Sequence, residues 1–213
     1  MFPEKTWYVH SRKHSFLISE RIRMDKKDVI KITLELIKEK KLEKASIGEI
    51  VKRLELSPGN LYYHFKNKSD IYKEAADYSA EEIIKNLNKV RKKENKRDYL
   101  YNLTKSLIKF LEEREEILCF LLSMKGTCFL DKELESQDIL IKFKKLLLEE
   151  KDSLEEENKI LLKLSMFMGS IYEVLYINKL VKKKNLNEEE IQEISESFWG
   201  NNMDRTQILG QRL

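Results

Sequence analysis

Two prolines and six glycines in 213 residues leave little turn chemistry, which argues against a β-rich chain with its many tight turns. Cysteine is as scarce. Cys119 and Cys128 lie nine residues apart among apolar neighbours, matching neither a disulfide framework nor metal-ligand spacing, so both read as reduced core thiols. Of three histidines, His10 and His14 are one helical turn apart but lack the glutamate and distant third ligand of a zinc-hydrolase helix. There is no Gly-rich phosphate loop and no nucleophile motif, so neither enzymatic activity nor a cofactor is expected. No uninterrupted apolar run approaches the ~18 to 20 residues of a membrane span, and the first residues lack a signal peptide's apolar stretch. Cytoplasmic residence without membrane attachment is the resulting expectation.

What the chain has is charge and helix formers. Charged residues are 37% and hydrophobic ones 41%, with Lys, Glu, Leu and Ile abundant. That balance lets each helix keep one solvated and one buried face, giving an expected all-α fold of about nine helices. The overall charge of +4 is unevenly spread. Residues 1–74 hold 17 Lys and Arg against 11 Asp and Glu, and the rest 24 against 26. The N-terminal third is therefore the natural partner for a polyanion.

Residues 1–23 show no helical stripe. Met24 is a candidate start, and the alternative is a basic arm (Arg12, Lys13, Arg21, Arg23) touching phosphates. Asp25 is a candidate N-cap for a first helix through Lys40, whose apolar positions Val29, Ile30, Thr33, Leu34, Leu36 and Ile37 fall at helical spacing. Ser46-Ile47-Gly48-Glu49 reads as a capping box opening a helix to about Leu54. After a turn at Glu55-Leu56, Ser57-Pro58 supplies an N-cap and an N1 proline for a helix to His64. Asn67 caps a fourth helix from Lys68 to about Arg91. Five more are expected near 98–113, 115–125, 133–150, 156–182 and 187–200. The domain division that follows is 24–74, then 75–200, with a C-terminal tail 201–213.

Two very short helices between longer ones form the local pattern of a helix-turn-helix, in which the second helix enters the major groove. Pro58, Gly59, Asn60, Tyr62, Tyr63 and His64 supply its surface. Asn60 can hydrogen-bond, Tyr62 and His64 can donate to phosphate oxygens, and Tyr63 can lie against a thymine methyl or a sugar edge. Lys68, at the positive end of the fourth helix, adds a charge and free backbone amides. Tyr62-Tyr63-His64-Phe65 cannot all be core, because four consecutive helical residues point to nearly all sides.

The stretches Ser46-Ile47-Gly48-Glu49-Ile50-Val51 and Leu54 through Lys68 (LELSPGNLYYHFKNK) resemble the TetR-family DNA-binding domain. The similarity covers about 50 residues from Val29 to roughly Tyr78, and LYYHFKNK is its most specific part. The resemblance implies that Ser46 contacts phosphate, that Gly59, Asn60 and Tyr63 approach bases or backbone, and that Tyr62, His64 and Lys68 anchor phosphates. It also implies that Ile50, Val51, Leu54, Leu56, Leu61 and Phe65 hold the helices together. Lys41 and Glu55 depart from it, since the family usually has glycine there, and left-handed backbone at a non-glycine residue costs roughly 1 kcal/mol.

For the C-terminal region the resemblance implies a ligand pocket and a dimer interface. Leu161 to Ile177 is apolar around most of a helix, so it needs cover on two sides, one of them a second subunit. Ser165, Gly169 and Ser170 would let a partner helix approach, with Phe198 and Trp199 in the same interface. Phe110, Cys119, Phe120, Met124, Phe129, Phe143, Phe167 and Tyr172 are candidates for an adaptable apolar pocket wall. Glu173 could meet a cationic ligand or pair with a lysine. The expected function is a homodimeric regulator of double-stranded operator DNA, a repressor released by a small ligand. The rival is an architectural or protein-interaction protein of similar helical make-up.

Overall fold

The computed structural model describes residues 25–125 and 154–200. Within them the chain is all-helical: α1 (Lys26–Lys40), α2 (Ile47–Arg53), α3 (Pro58–His64), α4 (Lys68–Leu87), α5 (Lys96–Glu113), α6 (Glu115–Met124), α7 (Leu154–Leu175) and α8 (Glu188–Trp199). Two compact units divide between Ala75 and Ala76, inside α4. The basic arm, the helix expected over 133–150 and the tail 201–213 lie outside the described residues.

In the first unit, local capping sets where the helices begin. Asp25 accepts from the Lys27 amide at 3.1 Å, and all six stripe residues of α1 are buried. Ser46 accepts from the Glu49 amide at 3.2 Å. Only this half of the expected capping box forms, because the Glu49 carboxylate turns to Lys40 of α1 instead. Arg53 likewise grips Glu39 of α1 through two bonds of 2.9 and 2.7 Å, so two ion pairs tie α2 to α1. Ser57 accepts from the Asn60 amide at 3.4 Å, with Pro58 in the first turn of α3. Ile50, Leu61, Phe65, Ile71, Tyr72 and Ala75 complete a core with the α1 stripe.

Both positions where the family favours glycine adopt positive φ. Glu55 has φ 53°, while Lys41 has φ 67° with ψ 161°. The Lys41 combination is almost exclusive to glycine and costs about 1–3 kcal/mol in other residues.

In the second unit, α5 and α8 pack together. The Trp199 indole donates to Thr104 Oγ1 at 3.1 Å, and Lys105 reaches Glu188 at 2.6 Å. The buried Glu112 carboxylate accepts from the Leu186 amide at 2.5 Å, while Lys109 donates to the Leu186 carbonyl at 2.7 Å. These bonds fix the turn into α8, which opens on a complete capping box of Asn187 and Glu190. Arg114, between α5 and α6, reaches Tyr78 at 3.4 Å and Glu82 at 3.3 Å, both on α4. Helix α4 closes at Leu87 rather than near Arg91, because the Lys89 and Val90 amides turn back to Asn86 and Leu87 in a tight turn. Helix α7 runs on into a π-helical turn, Tyr176–Val181.

The segment Asn158–Val181 is long and apolar enough, by length and composition, to cross a membrane, which the search for uninterrupted apolar runs passes over. Its sequence includes Lys163 and Glu173. Leu164, Phe167, Met168, Ile171 and Leu175 form a buried stripe along it.

Candidate DNA interface

Helix α3 separates its residues by direction. Leu61 is 1% exposed and Phe65, just past the helix, 2%, whereas Tyr62 and Tyr63 are 52% and 85% exposed. Two large rings left in water side by side on one short helix are the informative observation, since an exposed ring with a polar tip suits contact with a partner. Pro58 and Gly59 are exposed and Asn60 and His64 half-buried, so the set runs the length of a two-turn helix. The Tyr63 and His64 rings meet edge to face at 5.1 Å, which restricts both side chains before any partner arrives. Ser46 is exposed at the start of α2.

Lys68 lies at the start of α4 with its ammonium over the Tyr72 ring, 5.1 Å from the centroid. The backbone amides there are less free than the sequence suggests. Asn67 accepts from the Asp70 amide and Asp70 from the Lys66 amide, each at 2.9 Å. A phosphate approaching α4 therefore meets the Lys68 ammonium and the amides of Lys68 and Ser69, next to a carboxylate. The signal for this was legible, since Asn67 and Asp70 have the spacing of a reciprocal cap.

Residues 29–75 match the family model of bacterial regulatory proteins, tetR family. The N-terminal unit belongs to the TetR family. Over more than four-fifths of its length the chain shares its fold with solved structures at low identity. A transcriptional regulator from Rhodococcus sp. Rha1 is 16% identical with a TM-score of 0.68, over 85% of this chain and 97% of that one. The fatty acid degradation regulator FadR from Bacillus halodurans is 16% identical with a TM-score of 0.67, over 84% and 96%. A TerR/AcrR-family regulator from Aquifex aeolicus VF5 is 22% identical with a TM-score of 0.55, over 82% and 95%. No curated protein sequence matches the chain.

The pocket candidates of this TetR-like chain differ in burial. Phe110, Phe120, Met124 and Phe167 are buried, Cys119 is partly exposed, and Phe129 and Phe143 fall outside the described residues. Phe167 packs against Phe198 at 5.4 Å and Trp199 at 4.9 Å, joining a pocket candidate to two interface candidates. Trp199 is 2% exposed. Its ring packs inside its own unit, where the Thr104 hydroxyl satisfies the indole, and leaves little surface for a partner. Tyr172 lies beneath the Lys125 ammonium, 5.1 Å from its centroid, and burial pushes its phenol up to about 12. Glu173 is exposed.

Helix α7 does leave one apolar side open. Leu162 and Met166 are 64% and 60% exposed, alongside exposed Ser165 and half-buried Gly169 and Ser170. A Cβ at Gly169 would meet nothing within 4 Å, so nothing in its own unit calls for that glycine. Leu161, Tyr176, Ile177 and Val181 extend the exposed apolar surface, and the sequence marked it only as a helix apolar all round.

Proposed function

We propose that the chain is a cytoplasmic, homodimeric TetR-family transcription regulator whose α3 helices read operator DNA and whose second unit binds a small apolar ligand that releases the protein from DNA. The observation that carries the DNA reading is the exposure of Tyr62 and Tyr63 on a capped helix whose other side holds the core. In the complex, Gly59, Asn60 and Tyr63 approach bases or sugar, while Ser46, Tyr62, His64 and Lys68 hold phosphates and Pro58 fixes the helix start. The exposed side of α7 around Leu162, Ser165, Met166 and Gly169 meets its symmetry mate in the dimer, supported by its apolar character and open glycine. Two α3 helices about 34–36 Å apart would enter successive major grooves, and a ligand binding better to another spacing would shift the population away from DNA. The fatty acid degradation regulator among the structural relatives makes long-chain acyl compounds the first ligands to screen.

The test is titration of the purified protein into a labelled duplex covering the DNA upstream of its own gene, beside a shuffled duplex. A preference of about 10³ or more for the native duplex supports the regulator. Weak, salt-sensitive binding to both supports an architectural binder. No binding at low salt removes the DNA reading altogether.

A further inference from the structure

The turn between α4 and α5 is the most basic stretch among the described residues. Lys89, Arg91, Lys92, Lys93, Lys96 and Arg97 face a single acid, Glu94, between residues 88 and 97. It borders a groove of about 420 Å³ on the second unit, lined by Val90, Arg91, Lys93, Asn102, Lys105, Ser106 and Lys109. Four of those seven lining residues are cations and none is an acid.

The four cations differ in role. The inner two are held in place: Lys105 by Glu188 at 2.6 Å, and Lys109 by Glu112 at 3.2 Å and the Leu186 carbonyl at 2.7 Å. The outer two, Arg91 and Lys93, are exposed. Among the described residues no hydrogen bond or ion pair engages either side chain. Ser106 Oγ accepts from Asn86 Nδ2 at 2.8 Å, which occupies one of its two lone pairs and leaves its proton to donate. Asn102 adds a side-chain amide. The groove thus presents a guanidinium, ammonium groups, a hydroxyl proton and an amide over walls whose exposed surface is mostly apolar, with Glu188 and Glu112 pairing the inner two cations. Two unpaired cations at the rim of mostly apolar walls, with no acid among the lining residues, select an amphiphilic oxyanion, and the guanidinium favours the bidentate geometry of phosphate.

We propose that this groove is an anion site on the sensor unit, taking a small molecule that carries two or more phosphate groups. Its volume falls in the range of small-molecule sites, and its two unpaired cations, Arg91 and Lys93, distinguish it from the buried interior of the same unit. The site stands independently of the DNA and apolar-ligand readings, because it is built only from residues 90–109 and the groups that anchor them.

Calorimetric titration of the full chain with inorganic tripolyphosphate tests it, with tricarballylate as a carboxylate polyanion and at two salt concentrations. The expected result is saturable one-to-one binding that prefers tripolyphosphate. It should weaken about tenfold or more in Arg91→Ala with Lys93→Ala, and several-fold in Asn102→Ala, which alters no charge. Lys182→Glu with Lys183→Glu, on an exposed turn of the same unit, should retain affinity. Equal loss in that control, equal binding of tricarballylate, an unaffected Arg91/Lys93 variant or no saturable binding would each overturn the proposal. Circular dichroism of each variant separates lost binding from lost fold.

Discussion

The two units solve the same problem, a short chain of amphipathic helices, with opposite surpluses. In the first, polar and aromatic side chains remain outside a small core: Tyr62, Tyr63 and Ser46 face water while Leu61, Phe65 and Ile50 are inside. In the second, the surplus is apolar, with Leu162 and Met166 open along a helix whose other stripe is fully buried. An exposed aromatic with a polar tip suits a wet, charged partner such as DNA, whereas exposed leucine and methionine suit another apolar helix. The difference points to two partners of different chemistry.

Breaking the first surplus should have the largest effect. Tyr63→Ala with Lys68→Ala is expected to abolish a sequence preference of about 10³ in duplex titrations, with the melting temperature little changed because Tyr63 is 85% exposed. The second surplus is broken by Leu162→Asp with Met166→Asp. Analytical ultracentrifugation should then report a folded monomer, and retention of the dimer would place the interface elsewhere. Phe167→Ala attacks the core of the same helix and should cost about 3–5 kcal/mol in denaturant unfolding, since Phe167 is fully buried between Phe198 and Trp199.

Smaller effects sharpen the comparison within the first unit. Lys41→Gly should raise stability by about 1 kcal/mol, the relieved strain exceeding the extra chain entropy of glycine. Glu55→Gly, at a milder left-handed conformation, should be close to neutral. The smallest effect is electrostatic. The hydrogen bond from Arg53 holds the Glu39 carboxyl below its ordinary value of 4.5, and Lys40 does the same for Glu49. A carboxyl with a lowered folded pKa contributes stability present above its unfolded value and lost as pH falls through the folded one. Melting temperatures should therefore decline below about pH 4.5, less steeply in Glu39→Gln, and the difference should shrink in salt because the pair is exposed.

Much of the first unit was legible residue by residue. Asp25, Ser46, Ser57 and Asn67 announce four helix starts, and the α1 stripe announces its buried face, because capping and periodicity act within a few residues. The positive φ at Lys41 and Glu55 was legible too, as departures from a glycine pattern. Less legible was the choice of partner for a side chain with several options. Glu49 had a capping amide in sequence reach and took Lys40 from another helix. Trp199 had the size and position of an interface residue and its indole bonds to Thr104, 95 residues away. The groove beside Arg91 exists only because α5 supplies Asn102, Lys105, Ser106 and Lys109.

The sequence by itself determined that this chain is helical, where most helices begin, and which short segment matches the TetR family. These follow from local forces: caps, proline and glycine geometry, and the 3.6-residue period. Tertiary structure decided which apolar residues became core and which stayed exposed on α7, and which ion pairs formed. It also decided where cations from separate segments met, because those outcomes depend on distances between residues far apart in the chain, which no local pattern encodes.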